Sequence, residues 1–199
     1  RKLTEAGIEE ILIVTGPEHL GSFAMLLGSG KDYGARFTYK VQDEAGGIAQ
    51  ALQLARNFAG HEPMAVILGD NIFEGSLAPA VKAFSAEPEG SMIFLKEVSD
   101  PTRFGIAEIQ DGRVVSIEEK PQNPKSNYCV TGIYLYDTTV FDIISTVRPS
   151  DRGEMEISDV NATYMERGAL KYAFLDGWWT DAGTFPSLAE ADRLARGGQ

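Results

Sequence analysis

The stretch Val66-Ile67-Leu68-Gly69-Asp70-Asn71 decides the fold, because an apolar run ends there at a glycine and passes directly to an acid and an amide. This order is typical of a buried parallel strand, and open α/β sheets bind their ligands just beyond the carboxyl ends of such strands. The stretch therefore predicts a metal or sugar-nucleotide site around Asp70. Gly, Asp and Asn are also common turn formers, so a plain strand-ending turn is the alternative interpretation.

Strands and helices alternate on both sides of this stretch. Apolar and β-branched runs predict strands at 11–14, 37–41, 65–68 and 91–98, with helices around 18–27, 48–58 and 77–84. Strands interleaved with helices imply a mostly parallel sheet that is covered on both faces. The predicted fold class is therefore α/β, with a Rossmann-like, mostly parallel mixed sheet flanked by helices.

The second half of the chain adds a β-hairpin. Asp111-Gly112 separates two strand-like runs, 106–110 and 113–118, and an Asp-Gly pair is a strong hairpin signal because it accepts positive φ angles. Further strands are predicted at 128–136 and 170–175, and helices at 140–145, 157–166 and 187–196. No repeat or linker is visible, so the chain is predicted to form one domain over residues 1–199.

Composition narrows the class of function. Of the 199 residues, 43% are hydrophobic, and 18 basic against 29 acidic residues give a net charge of −11. We expect no nucleic-acid partner, because such binding needs a basic footprint, and no membrane partner, because every apolar run is far shorter than about 18 residues. Cys129 is the single cysteine, which favours a cytoplasmic protein. Two isolated histidines make a zinc site improbable.

Two junctions could contact a phosphorylated ligand. Gln42 and Gly47 lie where a strand passes into a helix; glycine permits a close backbone approach and a helix amino end favours an anion. Glu119 and Lys120 follow the hairpin, where Lys120 is a candidate point charge for a phosphate and Pro121 is predicted to hold it extended. The alternatives are a glycine-eased turn and a solvated strand end.

Asp181 is the second candidate metal ligand. It follows two tryptophans in Trp178-Trp179-Thr180-Asp181-Ala182-Gly183-Thr184. If Asp181 meets Asp70 across a cleft, the two carboxylates can hold one hard cation, and Mg²⁺ typically takes one or two protein carboxylates alongside phosphate and water. The charged segment 151–157 forms either local ion pairs or the wall of a polar pocket.

Taken together, these segments resemble the glucose-1-phosphate thymidylyltransferase family, in the family's order and over nearly the whole chain. The matching stretches are Val41-Gln42, Gly46-Gly47-Ile48-Ala49-Gln50-Ala51, Leu68-Gly69-Asp70-Asn71, Asp100-Pro101-Thr102-Arg103-Phe104-Gly105, Glu118-Glu119-Lys120-Pro121, Pro124-Lys125-Ser126-Asn127, Thr131-Gly132-Ile133-Tyr134, Arg152-Gly153-Glu154-Met155-Glu156-Ile157 and Asp181-Ala182-Gly183-Thr184. The resemblance implies the nucleotide-diphospho-sugar transferase fold. It also implies a reaction in which dTTP and glucose 1-phosphate give dTDP-glucose and pyrophosphate by in-line attack on the α-phosphorus.

The resemblance also implies roles for particular residues. Gln42 and Gly47 would contact the thymine, Asp70 would lie at the nucleotide, Asp70 and Asp181 would hold Mg²⁺, and Lys120 would bind the sugar phosphate, so that Asp70, Lys120 and Asp181 form the catalytic set. The residues expected to surround the sugar and its phosphate, besides Lys120, are Gly105, Glu119, Val130, Tyr134 and Glu154. Members of the family are usually homo-oligomers.

One part of the family pattern is missing. The family opens with a strand, a glycine-rich loop bearing an arginine, and a Lys-x-Leu-Leu-Pro stretch, whereas this sequence begins Arg1-Lys2-Leu3 without them. The domain over 1–199 is therefore expected to be N-terminally incomplete. The alternative function is a catalytically inactive sugar-nucleotide-binding fragment or regulatory subunit of the same fold. A glycosyltransferase is disfavoured, because Gly69-Asp70-Asn71 supplies no Asp-x-Asp pair.

Overall fold

The computed structural model describes residues 1–197, within which the chain forms ten strands and eight α-helices. The strands are β1 (Glu10–Thr15), β2 (Arg36–Val41), β3 (Met64–Ile67), β4 (Asn71–Phe73), β5 (Ser91–Glu97), β6 (Gly105–Gln110), β7 (Arg113–Glu119), β8 (Tyr128–Tyr136), β9 (Leu170–Phe174) and β10 (Trp179–Asp181). The helices are α1 (Lys2–Glu5), α2 (Leu20–Leu27), α3 (Ile48–Gln53), α4 (Arg56–Ala59), α5 (Ala78–Ala86), α6 (Val140–Ile144), α7 (Ile157–Glu166) and α8 (Phe185–Ala195). The predicted single domain over 1–199 stays a prediction, and positions 198–199 lie outside the described residues.

Strand β8 organises the main sheet. This six-stranded sheet follows the order β7-β6-β8-β5-β9, and β3 also pairs with β8. Both β3 and β5 run antiparallel to β8, while β9 runs parallel to β5. Strands β3, β5 and β9 therefore point the same way, and β8 is inserted against their direction. The α/β class and the mixed sheet flanked by helices are confirmed.

Parallel pairing is less common than the sequence predicted. Within residues 1–197, five of the seven strand pairings are antiparallel, and the parallel pairs are β1–β2 and β5–β9. The prediction of a mostly parallel sheet is wrong in this respect. An apolar run identifies β8 as a buried strand, but its hydrophobicity carries no information about its direction.

Both faces of the main sheet are buried. Successive side chains of a strand point to opposite faces, and the two inner strands follow this alternation. Ile93, Leu95, Tyr134 and Tyr136 pack with α3, α6 and α7, whereas Met92, Phe94, Ile133 and Leu135 pack with α5. Because helices cover each face, β5 and β8 read in the sequence as nearly continuous apolar runs.

The predicted hairpin is confirmed. Strands β6 and β7 pair in antiparallel fashion from Gly105↔Glu119 to Gln110↔Arg113. Asp111 and Gly112 have φ angles of +50° and +74°, as a tight two-residue turn requires. The hairpin places both Gly105 and Glu119 at its open end.

The helix predicted over 48–58 is divided into α3 and α4. At the division, the amides of Leu54 and Ala55 donate to the carbonyls of Ala51 and Leu52, three residues back. The ammonium of Lys40 binds the Leu54 carbonyl at 2.9 Å. This hydrogen bond from outside the helix satisfies a carbonyl that would otherwise accept within it.

Within the described residues, no helix is both long enough and apolar enough to cross a membrane.

Candidate active site

A cleft of about 530 Å³ opens beyond the end of β3. Its lining draws on segments that are far apart in the sequence, including the ends of β2, β7 and β10 and the middle of β8. All ten residues predicted for the site line it, namely Gln42, Gly47, Asp70, Gly105, Glu119, Lys120, Val130, Tyr134, Glu154 and Asp181. The structure therefore brings the whole predicted set together.

The short β4–β10 pairing brings the two aspartates together. Asp181 lies opposite Asn71 in this pairing, and the Ala182 amide donates to the Asp70 carbonyl at 2.8 Å. A methyl group placed on Gly183 would lie 2.9 Å from Asp181 Oδ1 and 3.6 Å from Asp70 Oδ2. Both carboxylates therefore face the same small volume.

This carboxylate pair fits a hard divalent cation. Neither Asp70 nor Asp181 forms an ion pair with any lysine, arginine or histidine of residues 1–197. Each carboxylate accepts one hydrogen bond from a neutral group, Asp70 from Asn71 Nδ2 and Asp181 from the Gly183 amide. Residues 1–197 also contain no group of three or more His, Cys, Asp or Glu side chains that could hold a metal ion. Two carboxylates with phosphate and water are a sufficient ligand set for Mg²⁺.

Lys120 lines the cleft in an unexpected backbone conformation. Its φ angle is +45°, so the prediction that Pro121 holds it extended is wrong. A following proline disfavours the right-handed helical region. The Lys120 amide donates to the Phe104 carbonyl at 3.0 Å, and this bond at the end of the hairpin fixes the left-handed alternative. Its ammonium lies 3.8 Å from Glu119 Oε1.

Arg152 is a second cation of the cleft, to which the sequence analysis gave no role. Its guanidinium lies 2.9 Å from Glu156 Oε1 and 3.7 Å from Glu154 Oε2. Burial by itself raises the pKa of Glu156, but hydrogen bonds from Ser150 and Arg152 outweigh it and lower the pKa below its ordinary value. The charged segment 151–157 thus forms local ion pairs and also lines the polar pocket. The presence of Arg152 in this charged segment was the one feature of the sequence that could have indicated a second phosphate-binding cation.

Gln42 is held by a second glutamine. Gln50 Oε1 accepts hydrogen bonds from the Gly46 amide at 3.2 Å and from Gln42 Nε2 at 2.6 Å. Because the Gly46 amide can only donate, Gln50 must present its oxygen and Gln42 its nitrogen. Gln42 Nε2 also donates to the Gly47 carbonyl at 3.2 Å. Within residues 1–197, this leaves Gln42 Oε1 as the acceptor for a ligand.

Gly47 is required for a reason that the sequence analysis did not identify. Its φ and ψ are +92° and 173°, and a methyl group there would lie 2.6 Å from the Met155 carbonyl oxygen. Met155 in turn donates to the Gly46 carbonyl at 2.8 Å and accepts from the Ala49 amide at 3.2 Å. Glycine therefore lets the segment before α7 pack directly on the start of α3.

Three aromatic residues, Phe104, Tyr134 and Trp179, also line the cleft. Tyr134 is 4% exposed; burial raises the pKa of its hydroxyl, and the nearby carboxylates of Glu119 and Asp70 raise it further. The hydroxyl therefore stays protonated and can donate. Phe104 and Trp179 pack edge to face with centroids 5.5 Å apart and line the same cleft. Phe104 and Trp179 both lie in motifs of the sequence, but neither was predicted to be a site residue.

Comparison with known proteins agrees with this arrangement. The nucleotidyl transferase family model matches residues 1–196. Glucose-1-phosphate thymidylyltransferase of Neisseria meningitidis is 45% identical over 190 residues, which cover 94% of this chain and 66% of that protein. The enzyme of the same name from Mycolicibacterium smegmatis is 42% identical over 198 residues, which cover 98% of this chain and 68% of the relative.

A solved structure shares the fold closely. A provisionally named glucose-1-phosphate thymidylyltransferase from Bacillus anthracis, in complex with a sucrose, superimposes with a TM-score of 0.94 at 53% identity, covering 98% of this chain and 80% of that one. The chain spans about two thirds, 66%, of the Neisseria relative's length. The match over residues 1–196 and the identity to these relatives show that the chain belongs to the nucleotidyl transferase family, among the glucose-1-phosphate thymidylyltransferases.

Proposed function

We propose that this chain carries the reaction centre of a glucose-1-phosphate thymidylyltransferase. In the proposed reaction, a phosphate oxygen of glucose 1-phosphate forms a bond to the α-phosphorus of dTTP. The bond to the leaving pyrophosphate breaks, and dTDP-glucose is the second product. The observation that carries the proposal is one cleft that is lined both by the carboxylates of Asp70 and Asp181 and by three cationic side chains, those of Arg103, Lys120 and Arg152.

The proposed roles follow from the chemistry of each wall. Gln42 presents a carbonyl oxygen, which suits the N3–H of a thymine. Of the three cations that line the cleft, Lys120 and Arg152 are the ones proposed to bind the sugar phosphate, and Arg152 supplies the forked geometry that phosphates favour. Tyr134 and Glu119 offer a donor and an acceptor for sugar hydroxyls.

Asp70 and Asp181 are the proposed holders of Mg²⁺. When bound, the cation supplies neutralisation of the charge on the transferring phosphates, on which such displacements depend. The two carboxylates would determine where the positive charge of the cation lies in the cleft. Lys120 is the third member of the proposed catalytic set. Phosphoryl transfer of this kind relies on positioning and electrostatics rather than on proton transfer.

A pyrophosphate-release assay with dTTP, Mg²⁺ and glucose 1-phosphate tests the proposal. Asp70→Asn should lower kcat by roughly 100-fold or more, because several kcal/mol of charge stabilisation are lost. Asp32→Asn is the matched control, since Asp32 lies in an exposed turn outside the cleft. Near-normal turnover by Asp70→Asn would refute the proposed role of this carboxylate.

Lys120→Ala tests the sugar-phosphate wall. We expect it chiefly to raise KM for glucose 1-phosphate, because a charge-assisted hydrogen bond to the bound phosphate is removed. Lys82→Ala on the exposed side of α5 is its control. If KM for dTTP rises and KM for the sugar phosphate does not, Lys120 contacts the nucleotide instead.

The alternative function has its own outcome. If calorimetry detects dTDP-glucose binding while no pyrophosphate is released, the chain is a sugar-nucleotide-binding unit and the transferase proposal fails for it. The absence of both binding and turnover contradicts both proposals. The predicted homo-oligomer and cytoplasmic location stay predictions; light scattering and cell fractionation measure them.

A further inference from the structure

Asn71 uses its side-chain amide to connect three separate parts of the site. Its Oδ1 accepts from the Gly132 amide at 2.8 Å and from Trp179 Nε1 at 2.8 Å. Its Nδ2 donates to Asp70 Oδ1 at 2.9 Å. One amide therefore joins β8, β10 and the carboxylate at the end of β3.

These partners fix the orientation of the amide. A backbone N–H and an indole N–H can only donate, so the atom between Gly132 and Trp179 must be the oxygen of Asn71. The nitrogen must then face Asp70. If the amide were inverted, its nitrogen would face the N–H groups of Gly132 and Trp179, and its oxygen would face the carboxylate of Asp70. Each of these contacts would cost free energy, because no hydrogen bond could form there.

Gly132 is shaped to this arrangement. A methyl group on Gly132 would lie 2.4 Å from Asn71 Nδ2 and 2.8 Å from Leu68 Cδ1. Because Gly132 has no side chain, this position of β8 leaves room for the Asn71 amide that contacts Asp70.

The consequence for Asp70 is directional. With Oδ1 held by Asn71, it is Oδ2 that lies on the side of Gly183, where Asp181 Oδ1 also lies. A carboxylate adjacent to an unpaired like charge would otherwise rotate or move to increase the separation of the charges. The hydrogen bond from Asn71 opposes that rotation.

We propose that Asn71 is a positioning residue, which pre-orients Asp70 toward Asp181 so that the two carboxylates form one divalent-cation site; this rests on the metal role given to the pair under the proposed function. In this role Asn71 binds the carboxylate of Asp70 and does not itself coordinate the cation. Hydrogen-bond partners of metal ligands typically change metal affinity by about 10- to 100-fold when they are removed. We expect Asn71→Ala to weaken cation binding by a factor in that range.

A terbium titration measures this without catalysis. Tb³⁺ is a hard cation that prefers oxygen ligands, and Trp179 contacts the same amide, so excitation of the indole should sensitise Tb³⁺ bound at the pair. The measured quantity is the Tb³⁺ concentration at half-maximal luminescence, which does not depend on brightness. Asn71→Ala should raise it about 10-fold or more. Asn127→Ala is the matched control, because Asn127 is exposed and outside the cleft.

Two further variants separate the possible failures. Asp70→Asn should abolish the sensitised signal; if it does not, the proposed metal site itself is wrong. If Asp70→Asn abolishes the signal while Asn71→Ala leaves the midpoint unchanged, the positioning role of Asn71 is overturned and the metal site stands.

Gly132→Ala serves if Asn71→Ala does not fold, because it displaces the amide and keeps the side chain. A thermal unfolding scan of each variant accompanies the titration. A lower Tm with an unchanged Tb³⁺ midpoint would assign Asn71 a structural role only, and this outcome too overturns the proposal.

Discussion

Gly47→Ala is predicted to destabilise the protein strongly, although it adds a single methyl group. The residue has φ of +92° and ψ of 173°, a region that is essentially restricted to glycine. Holding another residue there costs about 1–3 kcal/mol. The added methyl group would also lie 2.6 Å from the carbonyl oxygen of Met155, so the two segments must separate.

That separation affects two backbone hydrogen bonds. Met155 donates to Gly46 and accepts from Ala49, and each such bond contributes about 0.5–1.5 kcal/mol. The total expected loss in the free energy of unfolding is about 2–6 kcal/mol. With a urea dependence of about 2–3 kcal/mol per molar, the unfolding midpoint should fall by roughly 1–3 M.

Urea unfolding followed by tryptophan fluorescence tests this magnitude against two other glycines. Gly34→Ala meets a positive φ of +69° with no atom within 4 Å, so it should cost only about 1–2 kcal/mol. Gly69→Ala meets neither a positive φ nor a neighbour and should be close to neutral. If Gly47→Ala costs no more than Gly34→Ala, the close approach of Met155 contributes nothing and the reasoning fails.

Two predictions concern titratable groups. Because the folded pKa of Glu156 is lowered, its contribution to stability is present above the ordinary glutamate pKa of about 4.3 and is lost as the pH falls through the lowered value. The difference in unfolding free energy between wild type and Glu156→Gln should therefore be constant near neutral pH and shrink in acid; a difference that grows in acid contradicts the assignment. Burial raises the pKa of the Cys129 thiol to about 12, so iodoacetamide at pH 8 should modify it only after unfolding, as mass spectrometry would detect; rapid modification of the native protein contradicts this.

The sequence predicted those parts of the fold that depend on local chemistry. The Asp111-Gly112 turn was predictable because few residue pairs accept two positive φ angles. The direction of β8 was not, since an apolar strand packs equally well in either direction when helices cover both faces. The division between α3 and α4 was also hidden, because it involves a hydrogen bond from Lys40 on a different element.

The candidate site likewise contains residues that the sequence predicted and residues or conformations that it did not. Asp70 was predicted from its position after an apolar run and Asp181 from its position after two tryptophans, and both carboxylates lie beside Gly183 in the structure. Arg152 was not assigned, because ion pairing with Glu156 and lining a pocket have the same appearance in a sequence. Lys120 was placed correctly in the cleft but in the wrong backbone conformation, since the Phe104 carbonyl that fixes its φ is distant in the sequence.

The pairing of β4 with β10 has a consequence for biosynthesis. Asn71 and Trp179 are separated by 108 positions along the chain. At about 5–20 residues per second, a ribosome needs roughly 5–20 s to synthesise the intervening polypeptide. During that time the emerging chain displays Asp70 without its counterpart. The carboxylate pair therefore forms only once translation has passed Asp181, so a nascent chain that stops earlier presents only half of it.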